Sequence, residues 1–154
     1  MRDKSAELSE VIDNFRRTIQ ATNDYSKTAE RSTGLTGPQL WALKILDNIA
    51  PIRVSDLARQ MHLRPPTVVG ILDRLEGKGL VTRNRSSEDR RVVVLHLTEM
   101  GKELAASAPE VAQIMLVKGL GQLSSSQISK VADGLKLIVR LLNAENVTPQ
   151  PIHS

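Results

Sequence analysis

Four arginines fall within the nine residues from 83 to 91, in a segment whose acidic residues are Glu88 and Asp89. Residues 79–82 and 92–97 on either side are typical of strands, so the segment is predicted to be a hairpin with a positive tip. The hairpin directly follows a helix with an apolar period that ends near Gly77. Guanidinium groups bind phosphates and read base edges, and a helix beside a basic hairpin can contact two grooves of a duplex. The spacing therefore predicts a DNA-binding surface.

The positive charge of the chain is concentrated in the same region. The 154 residues contain 21 Lys and Arg against 17 Asp and Glu, a net charge of +4. Residues 53–91 contain nine basic and five acidic residues, so they hold the whole excess and the rest of the chain is neutral. A solvated basic surface would have the same charge. Its coincidence with the helix and hairpin is what favours nucleic acid as the partner.

The helix before the hairpin is predicted over residues 65–78, with its apolar residues on one face. A short helix capped by Ser55 and a turn at residues 62–66 precede it, which completes a helix-turn-helix. The N-terminal half of the second helix should enter the major groove. Thr67 offers a hydroxyl to a base edge or a phosphate, and Pro66 can touch a thymine methyl. The DNA-binding candidates in this element are Arg64, Pro66, Thr67, Gly70 and Arg74.

Each of these candidates also has a purely structural interpretation. Pro65 and Pro66 start a helix well whether or not DNA is near. Gly70 either lets the backbone approach DNA or relieves crowding within the protein. Arg74 faces outward further along the helix and suits a phosphate better than a base. Its alternative is an ion pair with the neighbouring Asp73 or Glu76.

The hairpin supplies the remaining DNA-binding candidates. Arg85 and Arg90 are expected to contact phosphates, and each neutralised phosphate steepens the salt dependence of binding. Asp89 is expected to orient the guanidinium of Arg91, and arginine suits the enhanced negative potential of a narrow minor groove. The alternative is that Asp89 and Arg91 form a turn lock that never reaches DNA. Arg83 and His96 lie on the strands and are predicted to be structural.

The ends of the chain are predicted to be amphipathic helices. An apolar stripe runs through residues 5–31, and another follows the serines at 124–126. Pro109 should interrupt the helix that Thr98 caps, with Ser107 as a local cap for its restart. Neither end can bury its stripe on the small middle region, so we expect a homodimer. The predicted fold is mainly α with a small β-wing, divided into an N-terminal dimerisation helix (1–33), a winged helix-turn-helix (34–98), C-terminal dimerisation helices (99–143) and a disordered tail (144–154).

Several classes of function have no support in the sequence. There is no cysteine, and His62, His96 and His153 are scattered without carboxylates at ligand spacing, so neither a metal site nor a cofactor is expected. No serine lies in a nucleophile-elbow pattern and no phosphate-binding glycine loop occurs, so the chain is not expected to be an enzyme. No apolar run is long enough to span a membrane, and the N-terminus has no signal-peptide core. A cytoplasmic location is expected.

The motifs together resemble the MarR family of bacterial transcription regulators. The resemblance rests on Leu35-Thr36, Val54-Ser55-Asp56-Leu57-Ala58, residues 72–83, and Asp89-x-Arg91 followed by Leu97-Thr98. It covers residues 35–98 and implies a homodimer that reads an inverted repeat with two winged helices. It also implies regulation, usually repression, that a small anionic or phenolic ligand often relieves. Through it, Arg91 corresponds to the family's minor-groove arginine.

Two points stay open at this stage. The competing function is a winged-helix module that binds an acidic protein and binds DNA without sequence preference. An effector pocket for an aromatic carboxylate would need aromatic faces and one cation. Phe15, Arg16, Tyr25 and Trp41 are available for it, but core or dimer packing is the stronger interpretation of Phe15 and Trp41. Operator, effector, regulated genes and the sign of regulation do not follow from the sequence.

Overall fold

A computed structural model describes residues 3–152 and shows a mainly helical chain with one two-stranded sheet. His153 and the outermost residues of the predicted segments 1–33 and 144–154 lie outside that range. Seven helices and two strands follow one another in the described part: α1 (Lys4–Thr33), α2 (Gly37–Ile49), α3 (Val54–Gln60), α4 (Pro65–Gly77), β1 (Val81–Arg85), β2 (Val93–Leu97), α5 (Glu99–Ser107), α6 (Ala112–Gly121) and α7 (Ser125–Leu141). The predicted class, mainly α with a small β-wing, is confirmed.

Side-chain caps fix several of the helix starts. Thr36 and Gln39 form a reciprocal capping box at the start of α2. Ser124 and Gln127 do the same for α7. Thr98 caps α5 by accepting a hydrogen bond from the backbone N–H of Gly101. The cap at Thr98 is the one predicted, and α7 begins at the serines that the predicted apolar stripe follows.

Two predicted caps are wrong. Helix α3 begins at Val54 with Arg53 in the N-cap position, so Ser55 lies inside the first turn. The carbonyl of Arg53 already accepts from the N–H groups of Asp56 and Leu57, and the turn closes without a side-chain cap. Ser107 is the last residue of α5, and its hydroxyl donates backward to the carbonyl of Leu104. The break at Pro109 is present, but α6 restarts only at residue 112.

The hydrophobic core is centred on α2, which packs against α4, α5, α6 and β2. Leucine is its commonest residue, in keeping with an aliphatic core, and each buried leucine stabilises the fold by about 1.5–3 kcal/mol. The fully buried ones include Leu40, Leu43, Leu46, Leu57, Leu72, Leu75 and Leu95. This core carries α4 and the sheet on one side, so it determines where the DNA-binding candidates lie.

The terminal helices contrast with this core because their apolar side chains are exposed within the chain. Helix α7 has no buried residue, and α1 has one, Ala29. The large exposed apolar side chains of α1, α6 and α7 include Leu8, Val11, Ile12, Ile19, Met115, Leu116, Leu120, Ile128, Val131, Leu135 and Leu137. The division of the chain into dimerisation and DNA-binding segments stays a prediction.

The C-terminal residues 144–152 contain no helix or strand. Pro151 is nevertheless buried, and the carbonyl of Ile152 lies 3.4 Å from the amide nitrogen of Gln113. The disorder expected for residues 144–154 stays a prediction.

Candidate nucleic-acid interface

Helix α4 presents one face to solvent and the other to the core. Arg64 has extended backbone at the N-cap, and two prolines occupy the first helical positions. Val68, Ile71, Leu72 and Leu75 are buried, which anchors the inner face. Pro66, Gly70 and Arg74 follow one another at four-residue spacing and are exposed, while Thr67 is half-buried. The five predicted residues of this element therefore lie on or beside one accessible surface.

Crowding within the chain does not explain the glycine on this surface. A Cβ built on Gly70 meets no heavy atom within 4 Å among the residues that the structure describes. The backbone there does not have a positive φ, so an L residue fits without strain. Glycine in an exposed helix interior costs about 1 kcal/mol relative to alanine. This position therefore gives up helix stability and gains a stretch of bare backbone on the outer face of α4.

Arg74 does not pair with its neighbours. Asp73 and Glu76 instead bind Arg83 of β1, and no ion pair of Arg74 is found in residues 3–152. Its side chain lines a shallow cleft between α4 and the start of α2, together with Thr36, Gln39, Gly70 and Ile71. An exposed cation without a carboxylate partner is free to neutralise a phosphate.

Arg83 joins the wing to α4 by a forked contact. One guanidinium nitrogen lies 2.6 Å from Oδ1 of Asp73 and the other lies 2.7 Å from Oε2 of Glu76. The nitrogen facing Asp73 is also 3.4 Å from the carbonyl oxygen of Val69. The Arg83 side chain is 26% exposed, so it is more sheltered than either carboxylate. Arg83 therefore has the structural role predicted for it, and its partners are Asp73, Glu76 and the carbonyl of Val69.

The wing is a regular hairpin with a locked tip. Val81 faces Leu97 and Arg85 faces Val93 at the two ends of the antiparallel pairing. Beyond it, the N–H of Ser86 donates to the carbonyl of Val92 over 2.8 Å. The guanidinium of Arg85 donates to the carbonyl of Arg90 over 2.7 Å, which closes the tip from inside.

Asp89 and Arg91 show the predicted lock, and the lock leaves the arginine accessible. Oδ1 of Asp89 accepts from the backbone N–H of Arg91 at 2.9 Å and from its Nε at 3.4 Å. The Arg91 side chain is nevertheless 93% exposed. Arg85 and Arg90 are also exposed. The turn lock and the presentation of Arg91 to a partner are therefore compatible, although contact with DNA itself stays a prediction.

Three contacts that the sequence did not reveal hold the base of the wing. The N–H of Leu95 donates to the carbonyl of Ile52 over 2.7 Å, which attaches β2 to the segment between α2 and α3. The Thr98 hydroxyl donates to the carbonyl of Gly79 over 2.7 Å. A Cβ at Gly101 would lie 2.1 Å from the carbonyl oxygen of Leu80, so only glycine allows α5 to approach this closely. In the sequence, the glycine at position 101 was the one sign of this close approach.

Several clefts lie away from this surface, and two of them bear on the residues considered for an effector site. An apolar groove of about 440 Å³ between α1 and α6 includes Tyr25, Met115 and Leu120 in its wall. A more polar cleft of about 340 Å³ lies beside Trp41, with Lys44 and Lys118 at its edge. The four residues considered for an effector site therefore do not converge. Trp41 is largely buried, and Arg16 pairs with Asp13 on the exposed side of α1.

The described residues give no indication of other site types. No group of three or more His, Asp or Glu residues is placed to hold a metal ion within residues 3–152. In the same range, no helix is long and apolar enough to cross a bilayer.

Comparison with known proteins agrees with this geometry. The MarR family model matches residues 35–93. The chain is 38% identical over 105 residues to an uncharacterized HTH-type transcriptional regulator, YfiV, of Bacillus subtilis, a match covering 68% of this chain and 66% of that protein. It is 30% identical over 127 residues to the organic hydroperoxide resistance transcriptional regulator of B. subtilis, covering 82% of this chain and 84% of the relative. The fold is shared with S. aureus MepR in a MepR–DNA complex, at a TM-score of 0.57 and 20% identity, over 92% of this chain and 99% of that one.

Proposed function

The chain belongs to the MarR family of DNA-binding transcription regulators, and we propose that it is a homodimeric repressor of an inverted-repeat operator. The family comprises regulators rather than enzymes. The observation that carries the proposal is the joint exposure of the outer face of α4 and the tip of the wing on one rigidly connected lobe. The cytoplasm, where operator DNA is accessible, is the proposed location.

Helix α4 is proposed to read the major groove and the wing the adjacent minor groove. Pro66, Thr67 and Gly70 lie toward the N-terminal end of α4, which enters the groove first in helix-turn-helix proteins. Arg64 and Arg74 would contact the flanking phosphates. At the wing, Arg91 would enter the minor groove, held by Asp89, while Arg85 and Arg90 neutralise phosphates.

The exposed apolar faces of α1, α6 and α7 support the homodimer. Large exposed apolar patches on a protein mark interaction surfaces, and here they run along both terminal segments. A closed twofold dimer buries the same patch on both copies. It would also place two α4 helices about 34 Å apart, one turn of DNA. Such a dimer would repress transcription where its operator overlaps the promoter, and the reporter measurement below tests that part of the proposal.

Release by a small aromatic or anionic ligand completes the proposal. The cleft beside Trp41 offers an aromatic wall and the cations Lys44 and Lys118, which share the cleft with Asp47 and Glu110. Lys44 donates to the carbonyl of Ala108, so a ligand there would contact the linker between α5 and α6. Such a ligand acts only if it binds more tightly to a dimer with the wrong α4 spacing. A thiol cannot be the sensor, because the chain has no cysteine.

The test is selection of bound duplexes from a random DNA pool, followed by titration of the winner at two salt concentrations. An inverted repeat with half-sites about one turn apart, bound at least about 10³-fold more tightly than scrambled DNA, is expected. Weak binding without a consensus, no tighter than about 10⁻⁴–10⁻⁶ M at physiological salt, would instead favour a module that binds an acidic protein. Reporter transcription from the selected site then distinguishes repression from activation.

A further inference from the structure

Arg83 links α4 to the wing, the two elements proposed to contact DNA, and it was not itself predicted to contact DNA. It sits in the middle of β1, opposite Leu95 in the sheet register. Its guanidinium crosses to the side of α4 that faces the wing and meets three acceptors there: Val69 O, Asp73 Oδ1 and Glu76 Oε2. These acceptors span the eight residues 69–76, about two turns of the helix. The contact therefore restrains both the tilt of α4 and its rotation relative to the sheet.

We propose that Arg83 is a positioning residue that sets the orientation of α4 relative to the wing, so that both enter their grooves together. The proposal rests on the proposed function, because it assumes that both elements contact one DNA molecule. A planar guanidinium can bind two carboxylates at once, whereas an ammonium group is a single point charge without this fork. The requirement is therefore for arginine and not merely for positive charge.

The same geometry argues against a simple role in stability. Asp73 and Glu76 are 59% and 41% exposed, and exposed ion pairs contribute little to folding. The core beneath α4 is held by buried leucines, which do not depend on Arg83. What the fork adds is a restraint between two elements that would otherwise be joined only through the turn at residues 78–80 and the core.

The test is a double-mutant cycle on the selected operator, with Arg91→Ala reporting the contribution of the wing. In the wild-type protein, Arg91→Ala is expected to weaken binding about tenfold. If Arg83 positions the wing, Arg91→Ala in an Arg83→Gln background should weaken DNA binding by less than about threefold. The wing would already be misplaced there, so removing its arginine would remove little binding. Arg83→Lys should restore part of the coupling, since it can satisfy one carboxylate at a time.

A second variant separates positioning from charge. Asp73→Ala combined with Glu76→Ala removes both acceptors, leaves Arg83 in place and puts a good helix former at two exposed positions of α4, so folding should be retained. Charge alone predicts weaker DNA binding for Arg83→Gln and tighter binding for the acceptor variant. Positioning predicts that the Arg91→Ala effect shrinks in both. Arg16→Gln, which breaks one exposed ion pair on α1, is the charge-matched control and should leave that effect unchanged.

The possible results distinguish a failure of this inference from a failure of the proposed function. A full tenfold Arg91→Ala effect in both folded backgrounds would overturn the role of Arg83 while leaving the proposed function intact. If Arg83→Gln does not fold, the variant without the two carboxylates is the test. A full tenfold effect of Arg91→Ala in that variant would also refute the role of Arg83. Wild-type protein that selects no consensus would overturn the proposed function and this inference with it.

Discussion

Replacing Gly70 with alanine should stabilise the fold and weaken DNA binding in the same variant. The glycine lies inside α4, and a Cβ built there meets no heavy atom of the described chain within 4 Å. The helical backbone needs no positive φ at this position. No steric cost therefore offsets the better helix propensity of alanine, and the expected gain is about 1 kcal/mol. For a chain of this size that is a rise of about 2–4 °C in Tm.

The same Gly70→Ala substitution should weaken the complex with DNA. Gly70 lies between Pro66 and Arg74 on the exposed face of α4, so a methyl group there would occupy the gap between the helix backbone and the base edges. We expect a loss of about 1–3 kcal/mol, the range of one mismatched base pair. Fluorescence anisotropy on the selected operator measures this loss. Thermal unfolding at matched protein concentration measures the gain, since dimer stability depends on concentration.

Gly77→Ala is the matched control. Gly77 is the last residue of the same helix, and a Cβ there also meets no atom of the described chain within 4 Å. It lies two turns further from the end of α4 that enters the groove, so it should leave operator affinity unchanged. Wild-type affinity in Gly70→Ala would refute close backbone approach at this position. A lowered Tm in that variant would show instead that a methyl group at position 70 is not tolerated by the fold.

Three further outcomes follow from the geometry. Thr98→Ala removes both the cap of α5 and the bond to the Gly79 carbonyl, so chemical denaturation should show a loss of about 1–2 kcal/mol, which Thr98→Ser largely restores. Arg74→Ala should lower the salt slope of DNA binding by about one, equally for all sequences, and an altered base preference would identify a base reader instead. Leu135→Lys places a charge on the exposed apolar face of α7, so sedimentation equilibrium should show a shift from dimer to monomer. An unchanged dimer would exclude that face from the interface.

The parts of the fold that could be predicted are those determined by residues near one another in sequence. The capping boxes of α2 and α7 join residues three apart, and an apolar period marks the inner face of α4. The two wrong caps show the limit of this reasoning. Ser55 and Ser107 have the right side chains, but the carbonyl of Arg53 and the break at Pro109 place the helix starts elsewhere. The first N–H groups of an exposed helix can also be satisfied by water, so a residue of the capping type does not by itself determine where a helix begins.

The sequence was enough to name candidate site residues, whose contact with DNA stays a prediction, but not to find the contacts that connect their elements. Arg83 lies seven and ten residues from its carboxylate partners, and Ile52 lies 43 residues from Leu95, across the whole helix-turn-helix. The strand position of Arg83 predicted a structural role, but nothing in the local sequence indicated that its partners would lie on α4. The deciding fact is the direction in which β1 crosses α4, which depends on the packing of the core.

The two exposed surfaces of the chain place opposite demands on their side chains. The flanks of α1, α6 and α7 expose leucine, isoleucine and valine, which gain by leaving water, so their natural partner is an apolar surface such as a second copy. The outer face of α4 and the wing expose a bare glycine and solvent-exposed arginines, which gain by neutralising phosphate, so their natural partner is a polyanion. One chain cannot satisfy either surface by itself. Since the core connects both surfaces, the way in which two copies pack along their flanks should set the distance between their two α4 helices. Only an operator whose half-site spacing matches that distance would be bound by both copies at once.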